Sequence, residues 1–145
     1  MSHELQGWEL TEGRIDTTTP DPKVSEIIAA LEAIRFDQEN PFVILGAPAT
    51  DDAYASYCQA RIREDGYACE IRIFNGKEFR HMLALAPDAK GRVGEDPETR
   101  DCYGDGPNLG QVIGIFIAFI ANPNAFPTVE GLKWSDMTFE FEQSE

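Results

Sequence analysis

Apolar residues along the chain recur with two different periods, and the switches between them mark out its elements. Val24, Ile27, Ile28, Leu31 and Ile34 fall at helical spacing and form one stripe. Asp21 as N-cap and Pro22 at the first helical position predict where that helix starts. Upstream, "GWELTEGRI" predicts a short first strand, and downstream "PFVILGAP" reads as a buried strand between prolines. From residue 57 the period becomes two. Cys58, Ala60 and Ile62 alternate with Tyr57, Gln59 and Arg61, and Tyr67, Cys69, Ile71 and Ile73 alternate with Ala68, Glu70 and Arg72. Strand side chains point to opposite faces in turn, so each run has a dry face and a wet one.

The two alternating runs predict their own register. Pairing Ile62 with Tyr67 sets Ala60 against Cys69 and Cys58 against Ile71, and places Gln59 against Glu70 on the other face. A slip of one residue would mix the faces. The next turn contains Asn75-Gly76, a hairpin signal. A plain two-residue turn there would put Ile73 against Glu78. A three-residue connection or a glycine bulge would return Phe79, His81, Leu83 and Leu85 to the apolar face, and the bulge is the expectation.

Residues 87–108 show no sustained period and are rich in Gly, Pro and Asp, which predicts a mobile acidic loop over 88–108. "NLGQVIGIFIAFIANP" predicts a second helix, capped by Asn108, ended before Pro123 and apolar almost all round, hence deeply buried. In "LKWSDMTFEFE" Met137, Phe139 and Phe141 would face inward, while Asp136, Thr138, Glu140 and Glu142 face water. Trp134 breaks this alternation, which implies either a bulge beside Ser135 or an aromatic left at the surface. The elements add up to one α+β domain over residues 1–145. An antiparallel meander of about five strands carries two helices on its apolar face.

Charge narrows the function. Twelve basic residues against 26 acidic give a net charge of -14. Nucleic acid and anionic membrane surfaces are disfavoured as partners, because both are recognised by clustered Lys and Arg. The balance favours a basic partner or simply high solubility, and solubility alone is the commoner origin of an acidic chain. The acidity is uneven: residues 57–81 balance Arg61, Arg63, Arg72, Lys77 and Arg80 against Glu64, Asp65, Glu70 and Glu78, so the excess lies elsewhere. The start "MSHELQGWEL" has neither the basic residues nor the apolar run of a signal peptide, and "VIGIFIAFIA" is too short to span a bilayer. Three cysteines with no small-domain disulfide pattern fit a reducing compartment, so a cytoplasmic protein is expected.

Catalytic chemistry finds little support in the sequence. Cys69 and His81 would share a face of neighbouring strands, but both point inward, where an inert thiol and a hydrogen-bonded core histidine are the ordinary outcome. No Cys or His pair has zinc-ligand spacing, and "DCYGDGPN" lacks the alternating oxygen ligands and distal Glu of a calcium loop. No glycine-rich phosphate loop or nucleophile-elbow motif occurs. No enzyme activity, metal or cofactor is expected.

The order of elements is more informative. An amphipathic helix is followed by "FVILGAP", "YCQARI", "YACEIRIF" and "FRHMLAL", then by the apolar helix and a strand opened by "LKWSDMTFEF". Over most of residues 24–141 this resembles a family of small α+β immunity proteins of bacterial polymorphic toxin systems. In that family an aromatic-rich helix precedes a C-terminal Trp-containing strand. The acidic segment at 88–108 has no counterpart in the resemblance. The resemblance implies a protein of interbacterial competition that binds a cognate toxin domain, such as a nuclease or nucleic-acid deaminase, and covers its basic substrate cleft. Glu95, Asp96, Glu98, Asp101 and Asp105 in the loop would lead that contact, followed by Asp136, Glu140 and Glu142, with Trp134 as an aromatic anchor. The alternatives are a ligand-binding protein or enzyme with a pocket between sheet and helices, lined by Tyr67 and His81, or a secretion adaptor.

Overall fold

The computed structural model describes residues 4–48, 56–63, 66–74, 79–85, 106–123 and 125–136. Its strands are β1 (Glu9–Glu12), β2 (Thr17–Pro20), β3 (Phe42–Gly46), β4 (Tyr57–Arg63), β5 (Gly66–Phe74), β6 (Phe79–Leu85) and β7 (Lys133–Asp136). The helices are α1 (Val24–Ala33) and α2 (Leu109–Ala121), and a 3-10 turn spans Gly13–Ile15. All seven strands form one antiparallel sheet in the order β2-β1-β3-β4-β5-β6-β7. From β3 onward this is a meander. The sheet exceeds the expected five strands, partly because Thr17–Pro20 adds an edge strand that pairs with β1.

α1 starts later than its sequence predicts. Asp21 does not cap it: the residue takes a left-handed backbone (φ 49°), and its Oδ1 accepts a hydrogen bond from the Gly7 amide at 2.8 Å. With Asp21 committed to the Gly7 turn, Lys23 becomes the N-cap residue, and Glu26 Oε1 accepts from its amide at 2.9 Å. The predicted stripe then turns inward through Ile27, Leu31 and Ile34. α2 begins as predicted. Asn108 Oδ1 accepts from the Gln111 amide, and Gln111 Oε1 accepts from the Asn108 amide, both at 2.9 Å.

The β4–β5 register is the one the alternation predicts, with Ile62 opposite Tyr67, Ala60 opposite Cys69 and Cys58 opposite Ile71. Together with Leu10, Val43 and Leu45 these residues form the face covered by α1 and α2. Cys58, Ala60 and Cys69 are small, and Val112, Ile115, Phe116 and Phe119 of α2 join them in one core. The Trp8 ring meets Phe119 edge-on, with centroids 5.7 Å apart.

Three expectations are corrected. Phe74 pairs with Phe79 and Arg72 with His81, so His81, Leu83 and Leu85 lie on the face opposite Cys69, Ile71 and Ile73. The bulge argument assumed one dry face. In the structure Leu83 and Leu85 are buried on the second face, so both faces of β6 carry apolar residues. α2 is not buried all round either: Ile117 is 46% exposed on its outer side. Trp134 needs no bulge, since Lys133–Asp136 pairs residue for residue with Met82–Leu85. Nor is it left at the surface. It is half-buried opposite Ala84, 5.9 Å from the Phe126 ring, and its Nε1 donates to the Pro127 carbonyl at 2.7 Å.

Candidate functional site

The second face of the sheet brings Tyr57, Gln59, Glu70, Arg72 and His81 together. Antiparallel pairing sets Tyr57 opposite Arg72, Gln59 opposite Glu70 and Arg61 opposite Ala68, and β6 adds His81 opposite Arg72. His81 Nε2 and Glu70 Oε2 are hydrogen-bonding partners across the two strands. The imidazole is buried to 2% side-chain exposure and the carboxylate to 20%. The Tyr57 ring stands edge-on to His81 at 6.1 Å, and the Arg72 guanidinium lies 6.0 Å from the same ring. Burial pushes the Tyr57 hydroxyl above its ordinary pKa and the Glu70 charge adds to this, while Arg72 opposes it. Tyr57 therefore stays a neutral phenol at physiological pH.

This group has the parts of an acid–base site, but His81 is closed off from solvent in this conformation. What the arrangement does is hold β4, β5 and β6 together by a buried polar network. Sequence reasoning read Glu70 and Arg72 as ordinary solvated positions and put His81 on the wrong face. No sequence signal marked the pair, because the apolar Leu83 and Leu85 drew His81 to the other face and only the observed Arg72–His81 register brings it beside Glu70.

The same register separates the predicted Cys69–His81 pair onto opposite faces. Cys69 lies instead beside Cys58 on the helix-covered face, and both thiols are free and buried. Burial, reinforced by a hydrogen bond with Cys69, pushes the Cys58 thiol well up. It is a poor nucleophile.

The charge distribution is the more distinctive feature. The carboxylates of Glu4, Glu9, Asp16, Asp21, Glu26, Glu32, Asp37, Glu39 and Glu130 belong to exposed residues. Several of the basic groups are turned onto the protein itself. Arg14 pairs with Glu12 at 3.3 Å, and Arg35 Nη1 donates to the carbonyls of Glu32 and Ile34 at 2.6 and 2.9 Å. Arg61, Arg72 and Arg80 lie 6.0, 6.0 and 5.9 Å from the rings of Phe42, Tyr57 and Phe126. Among the described residues the exposed surface is therefore acidic on balance, with Lys23, Arg35, Arg80 and Lys133 as its exposed basic residues and Arg14, Arg61 and Arg72 partly buried.

Of the residues predicted to meet a partner, Glu95, Asp96, Glu98, Asp101, Asp105, Glu140 and Glu142 lie outside the described residues. Asp136 ends β7 opposite Met82. Trp134 is half-buried, and its indole N–H already donates to the Pro127 carbonyl. Among the described residues no group of three or more His, Cys, Asp or Glu side chains could hold a metal ion, and no helix is long and apolar enough to cross a membrane. No protein family, curated protein or solved structure matches the chain.

Proposed function

We propose that the chain is an immunity protein, which binds the basic substrate cleft of a cognate toxin domain and blocks it stoichiometrically. The toxin class is one that acts on nucleic acid, a nuclease or a deaminase, because such an enzyme must present a positive groove to phosphates. The observation that carries this reading is the segregation of charge. Among the described residues, nine exposed carboxylate residues outnumber the exposed basic residues Lys23, Arg35, Arg80 and Lys133, and the guanidinium groups of Arg61 and Arg72 lie beside the Phe42 and Tyr57 rings. Charge complementarity of this kind raises association rates from about 10⁵–10⁶ toward 10⁸–10⁹ M⁻¹s⁻¹ at low salt. Fast capture is what protection of a toxin-producing cell requires.

Co-expression tests the reading. The reading requires a toxin domain encoded next to this chain, which should arrest growth alone and be neutralised when the chain is present. The purified pair should associate with 1:1 stoichiometry and a rate that falls steeply with salt. Arrest that persists at saturating levels of the chain would remove the proposal.

A further inference from the structure

Among the described residues Phe36 is the most exposed large hydrophobic side chain, at 55%. It sits in the connection between α1 and β3, in a turn closed at both ends. The Gln38 amide donates to the Arg35 carbonyl at 3.1 Å, and the Arg35 amide donates to Gln38 Oε1 at 2.8 Å. Arg35 is anchored in turn through its guanidinium to the last carbonyls of α1. Phe36 and Asp37 are the two central residues of this turn, so the ring is held out in water by a doubly fastened backbone. Burying a Phe side chain is favourable, and here more than half of the residue's surface is left in water.

A second exposed hydrophobic group lies at the same end of the sheet. β1 runs antiparallel to β3, with Glu12 opposite Val43, so the 3-10 turn after β1 and the connection before β3 emerge side by side. They pack closely: a Cβ on Gly13 would come within 2.4 Å of the Phe42 ring and 2.5 Å of the Asn40 carbonyl oxygen. Ile15 on that 3-10 turn is 48% exposed. Asp16 follows Ile15, and Asp37 and Glu39 follow Phe36, all of them exposed.

We propose that this end of the sheet is the chain's docking surface for its basic protein partner, with Phe36 as the aromatic anchor and Asp16, Asp37 and Glu39 as its charged rim. The inference rests on the inhibitor reading and adds a location to it. The anatomy is that of an interface hot spot, a large apolar side chain surrounded by polar groups. The fastened turn means that little conformational freedom is lost on docking. Charge decides the occupant. Two copies of a chain with net charge -14 repel each other, whereas a basic protein is drawn to the carboxylates and can receive the ring in an apolar pocket.

The test measures binding of the toxin domain encoded next to this chain to the wild-type chain and to Phe36→Ala, Phe36→Leu and the double variant Asp37→Lys/Glu39→Lys. Phe36→Ala should weaken binding by about tenfold or more through faster dissociation, with an unchanged melting temperature because the ring lies outside the core. Phe36→Leu should recover part of the loss. The double charge variant should slow association at low salt and approach wild type at high salt. Wild-type binding with Phe36→Ala within twofold of it would overturn this surface while leaving the inhibitor reading intact. No wild-type binding at all would overturn both. Concentration-dependent self-association that Phe36→Ala abolishes would reassign the surface to a second copy and refute the proposal.

Discussion

Phe119 and Ile117 lie two residues apart on α2 in a run that is apolar almost throughout, yet the structure gives them opposite environments. Phe119 is fully buried and meets Trp8 edge-on at 5.7 Å, whereas Ile117 is 46% exposed. Truncating Phe119 to Ala removes a buried ring and leaves a cavity, at a cost of about 3–5 kcal/mol. Within that, loss of the aromatic pair accounts for about 0.5–1.5 kcal/mol. A domain this size has about 5–15 kcal/mol of stability, so the variant loses a large share of it. Ile117→Ala removes a side chain already half in water, and alanine's higher helix propensity returns a few tenths of a kcal/mol. Its net effect should stay within about 0.5 kcal/mol. Urea denaturation followed by tryptophan fluorescence separates the two. With a slope of about 1–3 kcal/mol per molar urea, Phe119→Ala should lower the midpoint by more than about 1 M, while Ile117→Ala leaves it in place. Comparable losses from the two substitutions would mean that α2 is buried all round, and the described packing would be wrong.

Three further outcomes follow from the same geometry. Replacing Glu70 and His81 by Gln, singly and together, should give a coupling free energy of about 1–3 kcal/mol in a double-mutant cycle, and a coupling near zero would rule out the Glu70–His81 contact. Gly13→Ala forces a methyl group against the Phe42 ring at 2.4 Å and a backbone carbonyl at 2.5 Å, and should lower stability by at least about 1–3 kcal/mol; an unchanged thermal midpoint would contradict that packing. The folded state raises the pKa of both Cys58 and Tyr57, so it holds their protons more tightly than the unfolded chain does. The resulting stability is complete below about pH 8, where the unfolded thiol is still protonated, and is lost as pH rises through the folded values. Cys58→Ala should flatten the alkaline limb of a stability–pH curve, and an identical slope would show that the thiol does not contribute.

The parts of this fold that were legible in the sequence are those where one face is dry and the other wet. Across β4 and β5, small and apolar residues alternate strictly with Gln59, Arg61, Glu70 and Arg72, and only one register keeps the faces separate. β6 breaks the condition. Leu83 and Leu85 on one face and Met82 and Ala84 on the other are all apolar, so alternation could not choose between them. Asp21 failed as a helix signal for a different reason. A local capping preference competed with a tertiary hydrogen bond to Gly7, fourteen residues away, that no local pattern encodes. The Glu70–His81 pair was illegible as a consequence of the β6 misreading. Phe36 was invisible for want of any period to violate.

Arg72 offers a way to ask whether the segregation of charge, or only its total, matters for function. Its guanidinium lies 6.0 Å from the Tyr57 ring on the second face, and its charge opposes that of Glu70 on the Tyr57 hydroxyl. Arg72→Gln removes one positive charge from a molecule of net charge -14 and so makes it more acidic. If total charge governed encounter with a basic partner, this variant would associate slightly faster and fold normally. If the guanidinium serves the sheet, the variant instead loses a cation–π contact of about 0.5–2 kcal/mol and a neighbour of the Glu70–His81 pair. Its stability then falls while its association rate hardly changes. By contrast, reversing Asp37 and Glu39 on the exposed rim should alter the rate and spare the stability. The two variants together form a crossed experiment, with one expected to move only denaturation and the other only kinetics. A change in association rate from Arg72→Gln as large as that from the rim reversal would show that the partner meets the second face of the sheet.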